Sequence, residues 1–121
     1  MRALFDTNII IDYLNGDERA KTEISLYKEC WISIITYIEV LVGVSESNQY
    51  DIIKKYLLSF NIIEVEANVS NITIELRKKY KLKVPDAIIL ASAEKIGAIL
   101  VTRNTKDFDA NFPFVRVPYI V

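Results

Sequence analysis

The sequence predicts an α/β protein: a three-layer α/β/α sandwich around a mainly parallel central sheet. Two observations carry this. Short apolar runs of strand length alternate with segments of helical periodicity, and such alternation implies crossover connections and parallel pairing. The first of these runs, around Ala3, Leu4 and Phe5, is apolar at consecutive positions, as a strand covered on both faces must be. With 121 residues the chain is expected to form one domain spanning 1–121, with room for a real core but not for two.

The elements follow in order. A strand over 2–6 passes into a helical turn over 9–14, because Ile9, Ile10, Ile11, Tyr13 and Leu14 crowd too densely for a half-exposed strand. A helix over 17–29, a strand over 31–35, and helices over 36–45 and 48–60 come next, with Thr36 as a plausible N-cap. The third strand covers 62–65. Helices span 67–80 and 85–96, the second opened by Pro85, whose fixed φ suits a first helical position. A strand over 98–102, a turn or short helix near 105–110 and a strand over 114–117 complete the pattern, without repeats or low-complexity linkers.

Composition narrows the chemistry. There is no histidine, which removes imidazole bases, Ser-His and Cys-His pairs and the usual catalytic zinc sets. The glycines Gly16, Gly43 and Gly97 are scattered, so no phosphate-cradling loop exists. A single cysteine, Cys30, excludes an intramolecular disulfide, and the N-terminus lacks the order of a signal peptide, so a soluble, cytoplasmic protein with no membrane association is expected. Apolar residues make up 51%, more than so small a domain comfortably hides, which points to a subunit or partner interface. A net charge of −1 argues against a wholesale electrostatic grip on nucleic acid. Locally, however, RKKYKLK at 77–83 concentrates Arg77, Lys78, Lys79, Lys81 and Lys83. That run is either a solvated helix end or a phosphate contact.

Crossover helices run antiparallel to parallel strands, so strand carboxyl ends and helix amino ends gather on one edge of the sheet, where open α/β folds bind ligands. Four acids map to that edge. Asp6 ends the first strand; Glu39 lies one turn into the helix after the second; Asp86 follows Pro85; and LVTRNTKDF after the fourth strand offers Thr102, Asn104 and Asp107, with Asp109 as a competitor. Each has an ordinary structural reading. Asp6 could cap a helix, Glu39 could complete a capping box with Thr36, Asp86 could serve the helix dipole, and Asp107 could be a loop acid. Four acids on one edge are less easily dismissed. Their repulsion calls for a cation, and all-oxygen ligands suit Mg²⁺ or Mn²⁺, which can activate water and stabilise charge on a phosphoryl group without histidine.

The ordered set resembles the PIN-domain nuclease family: a hydrophobic strand ending in Asp6-Thr7-Asn8, an isolated helical Glu39, an Asp86 opening the apolar helix PDAIILASA, and LVTRNTKDF after a strand. The small form is similar to VapC-type toxins of toxin-antitoxin pairs. The resemblance implies a Mg²⁺-dependent endoribonuclease, commonly a homodimer, inhibited by a cognate antitoxin protein. By position, Asp6, Glu39, Asp86 and Asp107 fall on the family's catalytic and metal positions, with Thr7, Thr102 and Asn104 as supporting polar groups. Members place the final acid where either Asn104 or Asp107 stands, and the acid here is Asp107. RNA is the implied substrate, with Lys81, Lys83, Arg103 and Lys106 as its expected contacts. A PIN-type RNA-processing nuclease shares the same acids. A receiver-like regulatory module shares the fold class but needs paired acids after the first strand and an acceptor Asp after the third, and IIEVEA supplies none. A haloacid-dehalogenase-like phosphatase would need an acid at position 8, which is Asn8.

Overall fold

The structure, a computed structural model, describes residues 1–108 and 112–120. β1 (Arg2–Phe5) leads into α1 (Thr7–Leu14) and α2 (Glu18–Ser25), and β2 (Glu29–Ser33) into α3 (Ile34–Val42) and α4 (Ser47–Leu57). β3 (Asn61–Ile63) leads into α5 (Ala67–Tyr80) and α6 (Val84–Ile96), after which β4 (Ile99–Val101) and β5 (Val115–Arg116) complete the sheet. All pairings are parallel, in the order β3-β2-β1-β4-β5.

β1 is the central strand: Leu4 stands opposite Trp31 of β2 on one side and Leu100 of β4 on the other. Its consecutive side chains leave the sheet in opposite directions, so the apolar run feeds two cores. Ala3 and Phe5 pack with Ile9 and Ile10 of α1, Leu41 of α3 and Leu57 of α4. Leu4 packs with Ala87, Leu90 and Ala93 of α6 and with Phe108. Leu4 and Phe5 are fully buried, and each contributes roughly 2–3 kcal/mol by leaving water. These two cores are what make the sandwich three-layered.

Several boundaries differ from the sequence expectation. α2 ends at Ser25 and β2 begins at Glu29, because pairing with β1 recruits Glu29 and Cys30 into the ladder. β2 stops at Ser33, whose Oγ accepts the Ile35 N–H at 3.1 Å and so caps α3. Ser33 is therefore the N-cap expected at Thr36, and the β-branched Ile34 and Ile35 belong to the helix. Pro85 sits one residue inside α6 instead of opening it. Residues 104–108 close a hydrogen-bonded turn through Phe108 N to Asn104 O, 3.0 Å. The rest of the segment expected over 105–110, including Asp109, lies outside the described residues.

The strand order positions the site. From β1 the chain steps outward to β2 and β3, then crosses back so that β4 lies on the other side of β1. Loops that depart in opposite directions leave a crevice between the two strand ends. Here the crevice opens beyond Phe5 and Val101, and the Asp6 N–H bonds Val101 O at 2.9 Å to close its floor.

Candidate active site

Asp6 occupies the floor of that crevice and is 3% exposed. It fills both roles the sequence left open. Oδ1 accepts the Thr7 N–H at 2.8 Å, capping α1, while Oδ2 accepts the Thr102 hydroxyl at 2.8 Å and the Asn8 amide at 3.3 Å. Burial pushes its carboxyl above the ordinary range; the bonds from Thr102 and Thr7 oppose this, and the neighbouring Glu39 charge adds to it.

Glu39 reaches the crevice from the second turn of α3. Thr7 Oγ1 donates to Glu39 Oε1 at 2.6 Å and lies 3.0 Å from Thr36 Oγ1. A hydroxyl has one proton, so with Thr7 donating to Glu39 the remaining bond runs from Thr36 to Thr7. The chain Thr36 to Thr7 to Glu39 orients the carboxylate from a fully buried anchor. This replaces the capping box considered between Thr36 and Glu39.

Asp86 lies in the first turn of α6. Its pKa is raised to about 6, first by burial, then by the charges of Asp6 and Asp107, a hydrogen bond shared with Asp107, and the Glu39 charge. Asp6, Glu39 and Asp107 are thus each within electrostatic reach of Asp86. Asp107 is set by its own turn: Asn104 Nδ2 donates to Asp107 Oδ2 at 2.9 Å, and the Asp107 N–H bonds Asn104 Oδ1 at 3.1 Å. Asn104 therefore holds the acid beside Asp86.

The donors are all oxygen, they repel one another, and among the described residues none of the four acids forms an ion pair with a basic side chain. This chemistry fits a hard divalent cation. Electrostatic coupling reaches further than coordination, and among the described residues no three of these groups close into a ligand shell.

The basic residues divide. Lys81 and Lys83 are exposed on the connection between α5 and α6 that delivers Asp86, and Lys106 is exposed beside Asp107. Arg103 is turned away onto Asp12, with Nε to Oδ2 at 2.6 Å and Nη2 to Oδ1 at 3.2 Å. Sequence reasoning gave no role to Asn8 or Asp12 and read Thr36 only as a helix cap. Asn8 bonds both Asp6 and Thr102, and its place in the Asp6-Thr7-Asn8 triplet was the available signal. For Thr36 and Asp12 the partners are too distant in sequence to announce themselves.

A parallel sheet with carboxylates gathered at its switch point defines an α/β protein with an acidic, oxygen-lined crevice. The PIN domain family matches residues 3–111, and the chain belongs to that family. A chain of the toxin-antitoxin complex from Klebsiella pneumoniae is 44% identical, with a TM-score of 0.93 over 98% of this chain and 99% of that one. FitAcB from Neisseria gonorrhoeae (23% identity, TM-score 0.81, 96% of this chain and 97% of that one) shares the fold. So does VapBC2 from Rickettsia felis bound to a DNA fragment from their promoter (22% identity, TM-score 0.81, 96% and 98%). No curated protein sequence matches significantly. Among the described residues no helix is long and apolar enough to cross a membrane.

Proposed function

We propose that the chain is a divalent-metal-dependent endoribonuclease of the VapC toxin type, working with Asp6, Glu39, Asp86 and Asp107. The observation that carries this reading is the placement of all four acids at the carboxyl edge of one parallel sheet, with Asp86 raised to about 6 first by burial and then by the charges of the other three. Mg²⁺ or Mn²⁺ bound by these acids would supply a polarised water and positive charge for the phosphodiester. The protein's own contribution is orientation. Thr102, Asn8 and the Thr7 N–H fix Asp6, the Thr36–Thr7 chain aims Glu39, and Asn104 sets Asp107 against Asp86. Lys81, Lys83 and Lys106 stand ready for the RNA backbone without reading its sequence.

The kinship with a toxin-antitoxin complex supports an antitoxin as the inhibiting partner. A groove of about 440 Å³ between α1, α3 and α4, floored by Ile11, Leu14, Val40, Val44 and Ile53 and bordered by Glu39, offers that partner an apolar seat next to the acids. Homodimerisation would cover part of the exposed apolar surface, including Ile38 and Val42, one turn apart on α3 and 50% and 80% exposed.

The test is cleavage of labelled single-stranded RNA with Mg²⁺ or Mn²⁺, with chelator, and by Asp86→Asn. Activity is expected only with the metal and the intact acid. Full cleavage by Asp86→Asn, or in chelator, would sink the reading.

A further inference from the structure

We propose that Asp12 is a positioning residue of the active site, acting through Arg103, with Tyr119 from the C-terminal segment completing the clamp. The proposal rests on the nuclease reading for its consequence, but not for its geometry.

The loop after β4 carries three site groups in quick succession: Thr102 bonded to Asp6, and Asn104 bonded to Asp107, whose charge acts on Asp86. Arg103 sits in their midst, and α1 grips it twice. The Arg103 N–H bonds Asn8 Oδ1 at 3.3 Å, while its guanidinium takes both Asp12 oxygens in a fork, at 2.6 and 3.2 Å. Asn8 and Asp12 are one helical turn apart, hence on one face of α1. Residue 103 cannot move without dragging Thr102 from Asp6 or Asn104 from Asp107.

Tyr119 closes the arrangement. Its hydroxyl donates to Asp12 Oδ2 at 2.8 Å, and Arg19 covers its ring at 4.5 Å while bonding Ile120 O at 3.2 Å. Burial, followed by the bond to Asp12, holds the Tyr119 hydroxyl in its protonated, donating form. With side chains only 28% and 15% exposed, Arg103 and Asp12 give up much of their hydration, so the pair is weak evidence of stability and better evidence of a fixed geometry. Forked recognition supplies direction as well as attraction, which a lysine at 103 would not reproduce.

Amide hydrogen exchange on the metal-free protein reads the clamp directly. In Asp12→Asn, and more mildly in Tyr119→Phe, the amides of Asn104, Asp107 and Phe108 are expected to exchange about tenfold faster while those of α6 keep their protection. In RNA cleavage, Asp12→Asn, Arg103→Gln and Arg103→Lys should each lose roughly ten- to a hundredfold in kcat at nearly constant KM. The double variant Asp12→Asn/Arg103→Gln should be no worse than either single one. Unchanged exchange in Asp12→Asn and Tyr119→Phe would overturn the proposal. So would a raised KM at constant kcat for Arg103→Gln with rescue by Arg103→Lys, the signature of a direct phosphate contact. If the unaltered protein cleaves no RNA, the nuclease reading fails alone, and exchange still decides the clamp.

Discussion

Thr102 donates its hydroxyl to Oδ2 of Asp6 at 2.8 Å and accepts the Asn104 N–H at 3.0 Å, joining the ends of β1 and β4 across the crevice. Thr102→Val keeps the shape but removes both bonds and the one that the hydroxyl accepts from the Asn8 amide at 3.3 Å, leaving a buried carboxylate short of a donor and the Asn104 N–H without an acceptor. We expect a loss of about 2 kcal/mol in chemical denaturation, with Thr102→Ser close to the unaltered protein. Equal stability of the valine variant would show that Asp6 is held adequately by Thr7 and Asn8.

Asp86 makes metal-free stability depend on pH in a specific direction. Its folded pKa of about 6 lies above the ordinary 3.8, so the folded state holds the proton more tightly, and stability falls as pH rises from about 3.8 through 6. Asp86→Asn removes the charge that must be accommodated. In chelator the variant should exceed the unaltered protein by on the order of 1–2 kcal/mol at pH 7.5, allowing for solvent screening, and the gain should vanish near pH 4. Melting curves at the two pH values check this; a pH-independent gain would point to packing and not charge.

Mg²⁺ or Mn²⁺ should reverse that penalty. Adding either ion at neutral pH is expected to raise the melting temperature of the unaltered protein and to do much less for Asp86→Asn, since a ligand of the folded state stabilises in proportion to its occupancy. An identical shift in both proteins would remove Asp86 from the ion's ligands.

A carboxylate outside the four acids of the crevice serves stability. Glu23 is 4% exposed and accepts Arg116 through Nε at 2.7 Å and Nη2 at 3.0 Å, together with the Tyr27 hydroxyl at 2.8 Å. Burial raises its pKa, but the Arg116 and Tyr27 bonds outweigh that, so the net shift is downward from 4.5. The stabilisation is therefore present at neutral pH and lost as pH falls below about 4.5. Arg116→Ala should cost about 2 kcal/mol at pH 7 and less at pH 3. A constant deficit would assign the effect to lost packing against β4.

Lys81 lets folding and binding be separated. It ends α5 in the left-handed region, at φ 58°, where a side chain is strained. Lys81→Gly should stabilise by about 0.5 kcal/mol, the relief of strain offset by the entropy of the unfolded chain. RNA affinity should nonetheless weaken, and removing Lys83 as well should flatten its salt dependence by up to about two phosphate contacts. An unchanged slope in Lys81→Ala/Lys83→Ala would mark this as a solvated face and direct the search for the RNA path to Lys106.

What the sequence determined by itself was the alternation of strands and helices and the addresses of the acids at their junctions. Those properties are written in local periodicity: the change from the apolar run Ala3, Leu4, Phe5 to Asp6 marks a strand end, and a proline before Asp86 marks a helix start wherever the helix goes. Tertiary structure decided which groups meet. Ser33 and not Thr36 caps α3 because β-branched residues suit either element until pairing with β3, which ends with Ser33 opposite Ile63, sets where the strand stops. Freed from capping, Thr36 becomes the anchor for Thr7 and Glu39. Arg103, whose acidic partner lies far from it in the sequence, finds Asp12 because β4 returns beside β1 and brings the loop after it over α1. Partner choice of this kind depends on strand order and register, and neither leaves a trace in any short stretch of the chain.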